Sequence, residues 1–499
     1  MKKLKRIIPL MLVLVMSLSI FLVACNKDKN PVVINSKVEL TILSINDFHG
    51  QLEEKDGSAG AARIAEFIYD TREQNPNNTI LLGAGDMFQG TGISNIGYGK
   101  DVINFMNMVD FDAMTIGNHE FDWGLNTILA YRDNLLDNGE AEFPFLSTNI
   151  YQMSINGTPE GIDEYTIIER SGIKIAIIGY IGYDQASDIS ASMMADYEFL
   201  EPVEELRENI KDARTKDDAD VVIVCCHDDS SRINKTLIDY TGEYEVDAII
   251  NAHTHNTTAK KVLRSSDKRF VPTIQSSSSG ENVGVTTLIF DKETSDVVEA
   301  NCINVKMGPK LEKNEEVENF VNDVKSSYAH IFDRELCEVG TNISRLAGTT
   351  WAAKALYNYS SREIDDVSIA FINSGGIRAA AFPFNEGDIV TVNDAYSLMP
   401  FDNTLIKVRL QGKIIKNVMS IGDVVYSGNI TIDNGAIYIN NQLINDEEYY
   451  TVIVIDFLYD KYESTFNTGI DKELTGILYR DVLIKEFEII GNNDEKWLG

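Results

Sequence analysis

A chain of 499 residues with a formal net charge of −33 at pH 7 is not built to coat nucleic acid, because proteins that do so use basic patches to displace counterions from phosphate. We therefore expect no nucleic-acid polymer among its partners. The composition is that of an ordinary globular protein, which excludes wholesale disorder, and the length allows two or three domains. An acidic surface also repels phosphorylated molecules, so positive charge at any phosphate site has to come from metal ions or a few placed arginines.

The first residues have the pattern of a lipoprotein signal. Basic residues within positions 2–6 precede an apolar run at 7–23, and the run ends in Leu22-Val23-Ala24-Cys25. A small-residue cleavage context with cysteine at the first mature position predicts a signal peptide over residues 1–24 and lipidation of Cys25. A retained signal anchor is the alternative, but the run is short for a spanning helix. Residues 25–37 are polar and suit a tether. We expect an exported protein, anchored to the outer face of the cell membrane or, where there are two membranes, on the periplasmic side.

Apolar strands alternate with amphipathic helices between residues 38 and about 305. Strands are predicted at residues 40–45, 79–82, 113–116, 174–179, 221–226 and 248–250, and helices at residues 61–72, 102–109 and 202–216. This alternation is typical of a layered α/β domain.

A charged helical stretch at residues 312–335 separates this half from a different composition. Short β-branched runs at 367–372, 405–410 and 450–455 are divided by Gly and Asn turns, and few convincing helices accompany them. We therefore predict a first domain at 38–305, a linker helix at 306–335 and a smaller domain at 336–499. We place the domain boundary near residue 335, with an error of about ten residues.

Five of the six histidines follow a predicted strand within a short polar motif: His49, His119, His227, His253 and His255. One such histidine is usually a satisfied loop or core residue. Five of them in this arrangement favour a site, because the strand ends of an open α/β sheet converge on one crevice.

The spacing of the polar residues suits metal ligands. Asp47 and His49 are two apart, as are His253 and His255, so each pair projects to one side of an extended segment. Asp86 follows two glycines that allow close backbone approach, and its two carboxylate oxygens suit a bridge between ions about 3.5–4 Å apart. Ligands of this kind without thiolate indicate two divalent ions such as zinc, manganese or iron.

These motifs resemble those of the calcineurin-like metallophosphoesterases. The residues that carry the resemblance are Asp47-x-His49, Gly85-Asp86, Gly117-Asn118-His119-Glu120, His227 and His253-x-His255. The run Asn373-Ser374-Gly375-Gly376-Ile377-Arg378 narrows it to the bacterial 5′-nucleotidase family, which includes periplasmic UDP-sugar hydrolase. The resemblance implies an α/β fold, in which a four-layer β-sandwich flanked by helices precedes a smaller α/β domain that binds substrate.

The resemblance also implies roles for these residues. One metal ion would be held by Asp47, His49, Asp86 and His255, and the other by Asp86, Asn118, His227 and His253. His119 would not be a ligand but would face the substrate phosphate. Asp122, three residues later, would orient the His119 imidazole and keep it protonated; its alternative reading is a helix-start residue placed for the dipole.

In the second domain, the resemblance implies substrate contacts from Asn373, Gly375, Gly376 and Arg378, with Arg345 as a weaker match. Two further candidates are Tyr426, which stands where the family usually has phenylalanine, and Phe457.

Two family features are missing. The segment at 348–358 lacks the usual Glu-Ser-x-x-Gly-Asn pattern, and the Gly-Gly-Asp-Gly loop that supplies a base-stacking aromatic is absent after Leu458. Tyr459, Tyr462 or Phe466 either stacks on a base instead or belongs to the core.

We expect an exported metal-dependent hydrolase that removes phosphate from nucleotides or related small phosphate esters. A rival with the same chemistry is a 2′,3′-cyclic-nucleotide or nucleotide-sugar phosphodiesterase. A rival of another class is a non-catalytic, nucleotide-binding surface lipoprotein. The native metals and the oligomeric state stay open.

Overall fold

The computed structural model describes residues 36–55, 58–133 and 139–499. The predicted signal peptide, Cys25 and nearly all of the tether lie outside the described residues. Among the described helices, none combines the length and the apolar character that a membrane span requires.

Fifteen strands and six helices precede the linker in the described part of the chain. The strands are β1 (Lys37–Ile45), β2 (Thr79–Gly83), β3 (Ala113–Thr115), β4 (Phe145–Leu146), β5 (Ile150–Gln152), β6 (Ile162–Asp163), β7 (Tyr165–Arg170), β8 (Ile173–Ile181), β9 (Tyr197–Phe199), β10 (Val221–His227), β11 (Ala248–Ile250), β12 (Thr257–Leu263), β13 (Phe270–Ser276), β14 (Asn282–Asp291) and β15 (Asp296–Lys306). The helices are α1 (Gly60–Gln74), α2 (Gly92–Ile96), α3 (Lys100–Met108), α4 (Leu125–Leu129), α5 (Pro202–Thr215) and α6 (Ser231–Asp239).

Two sheets face each other across a shared core. One has the order β15-β14-β1-β2-β3-β4-β6 and the other β12-β13-β11-β10-β8-β7. Leu40 and Ile42 of β1 point into the core between the sheets, where they join Ile223 of β10. Leu43 and Ile45 point the other way, because successive strand residues alternate faces.

Helices cover both outer faces of this pair of sheets. Ile64 and Ile68 of α1 pack with the outer residues of the first sheet. Leu206 and Ile210 of α5 and Leu237 of α6 do so on the second sheet. The predicted four-layer sandwich flanked by helices is therefore confirmed, and each predicted strand and helix of this half is present within a few residues.

The linker helix, α7 (Glu315–Phe332), is capped by Asn314, whose side chain accepts a hydrogen bond from the Val317 N–H at 3.2 Å. Three glutamates in its first turn are favourable at a helix N-terminus. Val317 and Val321 belong to the core under the first sheet, whereas Phe332 belongs to the core of the second half. Residues 37–499 form one compact unit, so the division into two domains stays a prediction.

The second half combines eleven strands with six helices. The strands are β16 (Glu335–Val339), β17 (Val367–Asn373), β18 (Ile389–Thr391), β19 (Thr404–Gln411), β20 (Val424–Gly428), β21 (Ile430–Asp433), β22 (Ala436–Ile439), β23 (Gln442–Leu443), β24 (Tyr449–Ile455), β25 (Ile470–Leu478) and β26 (Lys496–Trp497). The helices are α8 (Arg345–Glu363), α9 (Val392–Leu398), α10 (Gly412–Met419), α11 (Asp456–Lys461), α12 (Glu463–Phe466) and α13 (Tyr479–Asn492). The main sheet has the order β20-β17-β24-β19-β25, and α8 packs against β17 and β20.

The helix content of this half exceeds what its sequence pattern predicts. Helix α8 has 19 residues, and its buried positions include Gly348, Ala352, Ala353, Ala355 and Ser360. Several of its sides are therefore buried, mostly through small residues, and the alternation of apolar and polar faces that marks a surface helix is weak.

Two of the three aromatic residues left open as base-stacking groups belong to the core. The rings of Tyr459 and Phe466 are fully buried and stack on each other with centroids 5.2 Å apart. Tyr462 donates a hydrogen bond to Asp423 at 2.7 Å.

Candidate metal centre and active site

The predicted ligands lie where five strands end. Strands β1, β2 and β3 are parallel neighbours in one sheet, and β10 and β11 are parallel neighbours in the other. Asp47 and His49 follow β1, Asp86 follows β2, Asn118 and His119 follow β3, His227 ends β10, and His253 and His255 follow β11. Both sheets thus present their carboxyl ends to one place, as the sequence argument requires.

Asp47, His49 and His255 form the first cluster of ligand atoms. The Nε2 atoms of His49 and His255 are 3.2 Å apart, and His255 Nε2 is 3.3 Å from Asp47 Oδ1. His49 Nδ1 lies 3.0 Å from the carbonyl oxygen of Gln89, to which it has to donate, so His49 Nε2 carries a lone pair when the ring is neutral. Asp47 Oδ1 is buried without a hydrogen-bond partner. Lone pairs that face one another in this way fit a cation.

Asp86, His227 and His253 form the second cluster, together with Asn118. His227 Nδ1 is 2.8 Å from the carbonyl oxygen of Ala84, so its Nε2 is the atom left to bind a metal ion. That Nε2 lies 3.2 Å from Asp86 Oδ2 and 3.1 Å from Asn118 Oδ1. His253 Nδ1 is 3.1 Å from the same Asn118 oxygen. Nitrogen and oxygen ligands again surround one point, and there is no thiolate among them.

Asp86 connects the two clusters. The Asp86 carboxylate lies close to the ligand atoms of His227 and His253 on one side and to those of His49 and His119 on the other. Burial alone would lower the pKa of His227, but the Asp86 carboxylate raises it to about 10 in the metal-free chain. The carboxylates therefore attract positive charge to this point, and two divalent ions would supply that charge while leaving the imidazoles neutral.

Five of the seven predicted ligands have a left-handed backbone. Their φ angles are 49° at Asp47, 52° at His49, 54° at Asp86, 71° at His253 and 56° at His255. Such angles cost free energy in non-glycine residues and persist only where the surroundings impose them. At Asp47 and His49 the backbone is held by hydrogen bonds from Asp47 N to the Gly85 carbonyl oxygen and from His49 N to the Asp86 carbonyl oxygen, both 3.0 Å.

Glu120 is a site residue whose role the sequence pattern does not predict. It is fully buried, and its carboxylate accepts hydrogen bonds from the backbone N–H groups of Asp86 (2.9 Å), Met87 (2.9 Å) and Gly117 (2.7 Å). Burial and the charge of Asp86 raise the pKa of Glu120 to about 7. A Cβ at Gly117 would lie 2.4 Å from Asp86 Oδ1, so only glycine fits there. The feature of the sequence that could have pointed to Glu120 is its position in the motif Gly117-Asn118-His119-Glu120.

His119 pairs with Asp122, as the sequence predicts. His119 Nδ1 is 2.8 Å from Asp122 Oδ2, and the backbone N–H of His119 donates to Asp86 Oδ1 at 2.9 Å. Burial alone would lower the pKa of His119, but the carboxylates of Asp122 and Asp86 raise it. The ring stacks on Phe401 of the second half, with centroids 5.6 Å apart and planes 28° apart. Phe401 lies in the loop between α9 and β19.

A cavity of about 320 Å³ joins the metal clusters to the second half. Asn373, Gly375, Gly376, Arg378 and Phe457 line it, together with His119 and Asp122. The guanidinium of Arg378 lies 5.4 Å from the Phe401 ring centroid and makes no ion pair within the described residues. Asn373 Oδ1 is buried without a hydrogen-bond partner.

Arg345 and Tyr426 do not line this cavity. Arg345 donates to the carbonyl oxygens of Ile377 (3.3 Å) and Ser374 (3.2 Å), so it supports the loop that carries Arg378. Tyr426 lies on β20, where its ring packs edge-on against Phe371 with centroids 6.3 Å apart.

Comparison with known proteins agrees with this geometry. Residues 40–257 match the calcineurin-like phosphoesterase family, and residues 313–468 match the 5′-nucleotidase C-terminal domain. A snake venom 5′-nucleotidase of Crotalus adamanteus is 29% identical over 422 residues, which are 76% of this chain and 69% of that protein. An apyrase of Tabanus yao is 29% identical over 415 residues, which are 75% of this chain and 71% of that protein.

The fold agrees as well. The crystal structure of a 5′-nucleotidase precursor from Thermus thermophilus has a TM-score of 0.75 at 20% identity, covering 91% of this chain and 97% of that chain. Calcineurin-like phosphoesterases use two divalent metal ions, which fits the two ligand clusters. The chain therefore belongs to the family in which a calcineurin-like phosphoesterase is joined to a 5′-nucleotidase C-terminal domain, and it is a nucleotidase-type metallophosphoesterase, a hydrolase of phosphate esters.

Proposed function

We propose that the mature chain removes phosphate from nucleotides outside the cytoplasmic membrane, as a 5′-nucleotidase that releases nucleoside and orthophosphate for uptake. The observation that carries this proposal is one cavity lined by metal-ligand candidates, by the His119–Asp122 pair and by Arg378. A site that only binds nucleotide has no need of a paired histidine beside the metal ligands.

The metal ions would be held by two sets of residues that share Asp86. Asp47, His49, Asp86 and His255 would hold one ion, and Asp86, Asn118, His227 and His253 the other. Such ions supply Lewis acidity and a water nucleophile of lowered pKa.

The chain's own residues position the phosphate and its charge. Arg378 offers a planar fork of N–H donors to the phosphate oxygens, and Phe401 beneath it holds the guanidinium in place. His119 is fixed through Nδ1 by Asp122, and its Nε2, which lies 3.9 Å from Asp86 Oδ2, would donate to an oxygen on which negative charge develops. In the reaction an oxygen–phosphorus bond forms from water, the ester oxygen–phosphorus bond breaks, and the leaving oxygen takes up a proton.

A three-substrate assay tests this function. Purified residues 26–499, loaded with Mn²⁺ or Zn²⁺, are assayed with AMP, 2′,3′-cyclic AMP and UDP-glucose. We expect kcat/KM to be highest for AMP. Preferential cleavage of cyclic AMP or UDP-glucose would instead make the chain a phosphodiesterase. A chain that retains no divalent metal and stays inactive after metal addition would be a binding lipoprotein.

We also propose that Cys25 carries a lipid that anchors the exported chain to the outer face of the membrane. The support is the sequence pattern of residues 2–25. In cells fed labelled palmitate, the full chain recovered from the membrane fraction should carry the label, and the Cys25→Ala variant should not. The control Cys302→Ala, which removes a buried thiol, should label normally. Label in Cys25→Ala would refute the anchor.

A further inference from the structure

Strand β13 supplies none of the predicted metal ligands, yet it ends beside them. It lies between β12 and β11 in the second sheet and pairs in parallel with β11, so its carboxyl end reaches the edge where His253 and His255 follow β11. The last two residues of β13, Gln275 and Ser276, are buried. Buried polar groups need hydrogen-bond partners, and here the partners are the segments that carry ligands of the first cluster.

Gln275 holds the segment on both sides of His255. Its Oε1 accepts hydrogen bonds from the backbone N–H of Asn256 at 2.6 Å and from the hydroxyl of Thr254 at 3.0 Å. The Ser277 N–H donates to the Asn256 carbonyl oxygen at 2.9 Å. The His255 side chain is 41% exposed, so packing alone does little to fix it. These hydrogen bonds therefore hold the left-handed backbone of His255, with a φ of 56°, and the direction of its imidazole.

Asn46 joins the same strand end to Asp47. The buried Asn46 side chain accepts a hydrogen bond through Oδ1 from the Ser276 N–H at 2.8 Å. Its Nδ2 donates to the Ser277 carbonyl oxygen and to Asp47 Oδ2, both at 2.6 Å. The backbone N–H of His253 donates to the same Asp47 Oδ2 at 3.1 Å. One carboxylate oxygen of Asp47 is thus held by two donors, and Oδ1, the oxygen that belongs to the first cluster, keeps its lone pairs for a cation.

The second cluster is held by other hydrogen bonds. The His227 ring lies 2.8 Å from the Ala84 carbonyl oxygen through Nδ1, and the His227 carbonyl oxygen accepts from Gln185 Nε2 at 2.6 Å. Within the described part of the chain, neither Gln275 nor Asn46 is hydrogen-bonded to His227. Apart from the carboxylate that they share, the two clusters are therefore supported separately.

We propose that the carboxyl end of β13 fixes the first metal site, with Gln275 as the positioning residue of His255 and Asn46 as the positioning residue of Asp47. Neither residue would touch an ion or the substrate; each acts by holding a ligand in place. Loss of either should weaken binding of the first ion and leave the second ion bound. This inference rests on the ligand sets of the proposed function but not on its substrate, so its test measures metal binding.

The test is calorimetry of Mn²⁺ binding to metal-free residues 26–499, which should show two sites. Gln275→Met keeps the length of the side chain but removes the acceptor, and it should weaken one site at least about tenfold while the other changes by less than about twofold. Gln275→Glu keeps an acceptor oxygen and should retain most of the affinity. In a His255→Ala background, Gln275→Met should have no further effect, because Gln275 acts through that imidazole. The matched control is Gln152→Met, since Gln152 donates to Asp196 and not to a ligand segment.

Asn46→Ala should weaken the same site. Its matched control is Asn149→Ala, because Asn149 is also buried and donates to two backbone carbonyl oxygens, of residues that are not ligand candidates. Circular dichroism in EDTA shows which variants fold, and Asn46→Ala decides the matter if Gln275→Met does not.

Two unchanged Mn²⁺ sites in Gln275→Met and Asn46→Ala, or an equal weakening in the Gln152→Met control, would overturn this inference and leave the proposed function standing. An unmodified chain that binds neither Mn²⁺ nor Zn²⁺ would overturn both.

Discussion

The imidazole of His119 lies nearly parallel to the ring of Phe401, with 5.6 Å between centroids, although 282 positions of the chain separate them. Phe401 also supports the guanidinium of Arg378. One aromatic side chain from the second half therefore holds two groups that would meet the substrate phosphate.

Replacement of Phe401 by leucine should lower kcat/KM for AMP by about fivefold, which corresponds to about 1 kcal/mol for the lost ring contacts. The metal content should not change, because Phe401 is not itself a ligand candidate. Steady-state kinetics and metal analysis on the same preparation check both points. Phe401→Tyr keeps the ring and serves as the control; a loss as large as that of the leucine variant would contradict this account.

His119→Ala should keep both metal ions and lose about two to four orders of magnitude in kcat, which is the usual contribution of a positioned acid or base. Asp122→Asn should lower kcat by a smaller factor, because the His119 imidazole stays in place but is held less firmly. Plasma emission spectroscopy for metals and initial-rate assays separate the two effects. A His119→Ala protein that turns over at the full rate would exclude the assigned role.

Arg378→Ala should raise the KM for AMP at least tenfold, or about 1.4 kcal/mol. Arg378→Lys should recover little of this, because an ammonium group cannot reproduce the bidentate fork. Arg345→Ala is the matched control, since Arg345 donates to loop carbonyl oxygens outside the cavity lining. If both alanine variants raise KM equally, Arg378 acts only by supporting the loop.

Removal of metal should destabilise the fold. Both clusters place lone pairs against one another, so ions that bind the folded chain stabilise it, by about 2.7 kcal/mol per site at a metal concentration of a hundred times Kd. Thermal unfolding with EDTA and with added Mn²⁺ should therefore show a higher Tm with metal. Asp86→Asn, which alters a carboxylate shared by both clusters, should lose most of this shift. A Tm independent of metal in the unmodified chain would contradict the assignment.

The cysteines should be inert in the native protein. Cys225, Cys226, Cys302 and Cys337 are all buried and free. Burial raises the pKa of the Cys225 and Cys337 thiols to about 12, so at pH 8 only about one in ten thousand is the reactive thiolate. Iodoacetamide at pH 8 should label none of the four before unfolding and all four after it, as mass spectrometry can show. Rapid labelling of Cys337 in native residues 26–499 would mean that the second half opens readily.

The metal ligands could be predicted from sequence because they are polar residues of distinctive chemistry placed just after apolar strands, and strand ends converge whatever the details of packing. Side chains of the second half were harder to place. Whether Tyr426 faces the cavity or Phe371 depends on the register of β20 against β17, which local pattern does not reveal. The role of Glu120 could not be predicted for another reason. Its carboxylate accepts hydrogen bonds from three backbone N–H groups, and side-chain hydrogen bonds to the backbone cannot be read from the sequence.

The left-handed ligands also bear on how a chain of this kind would decay if its activity were no longer needed. Each of the five costs about 1 kcal/mol or more of stability, and glycine at the same positions would relieve much of that strain while destroying the site. Drift without selection would therefore favour loss of the ligands over their retention, since most stabilising changes at active sites cost function. A chain that still carries all five in their strained form has the signature of a working catalyst.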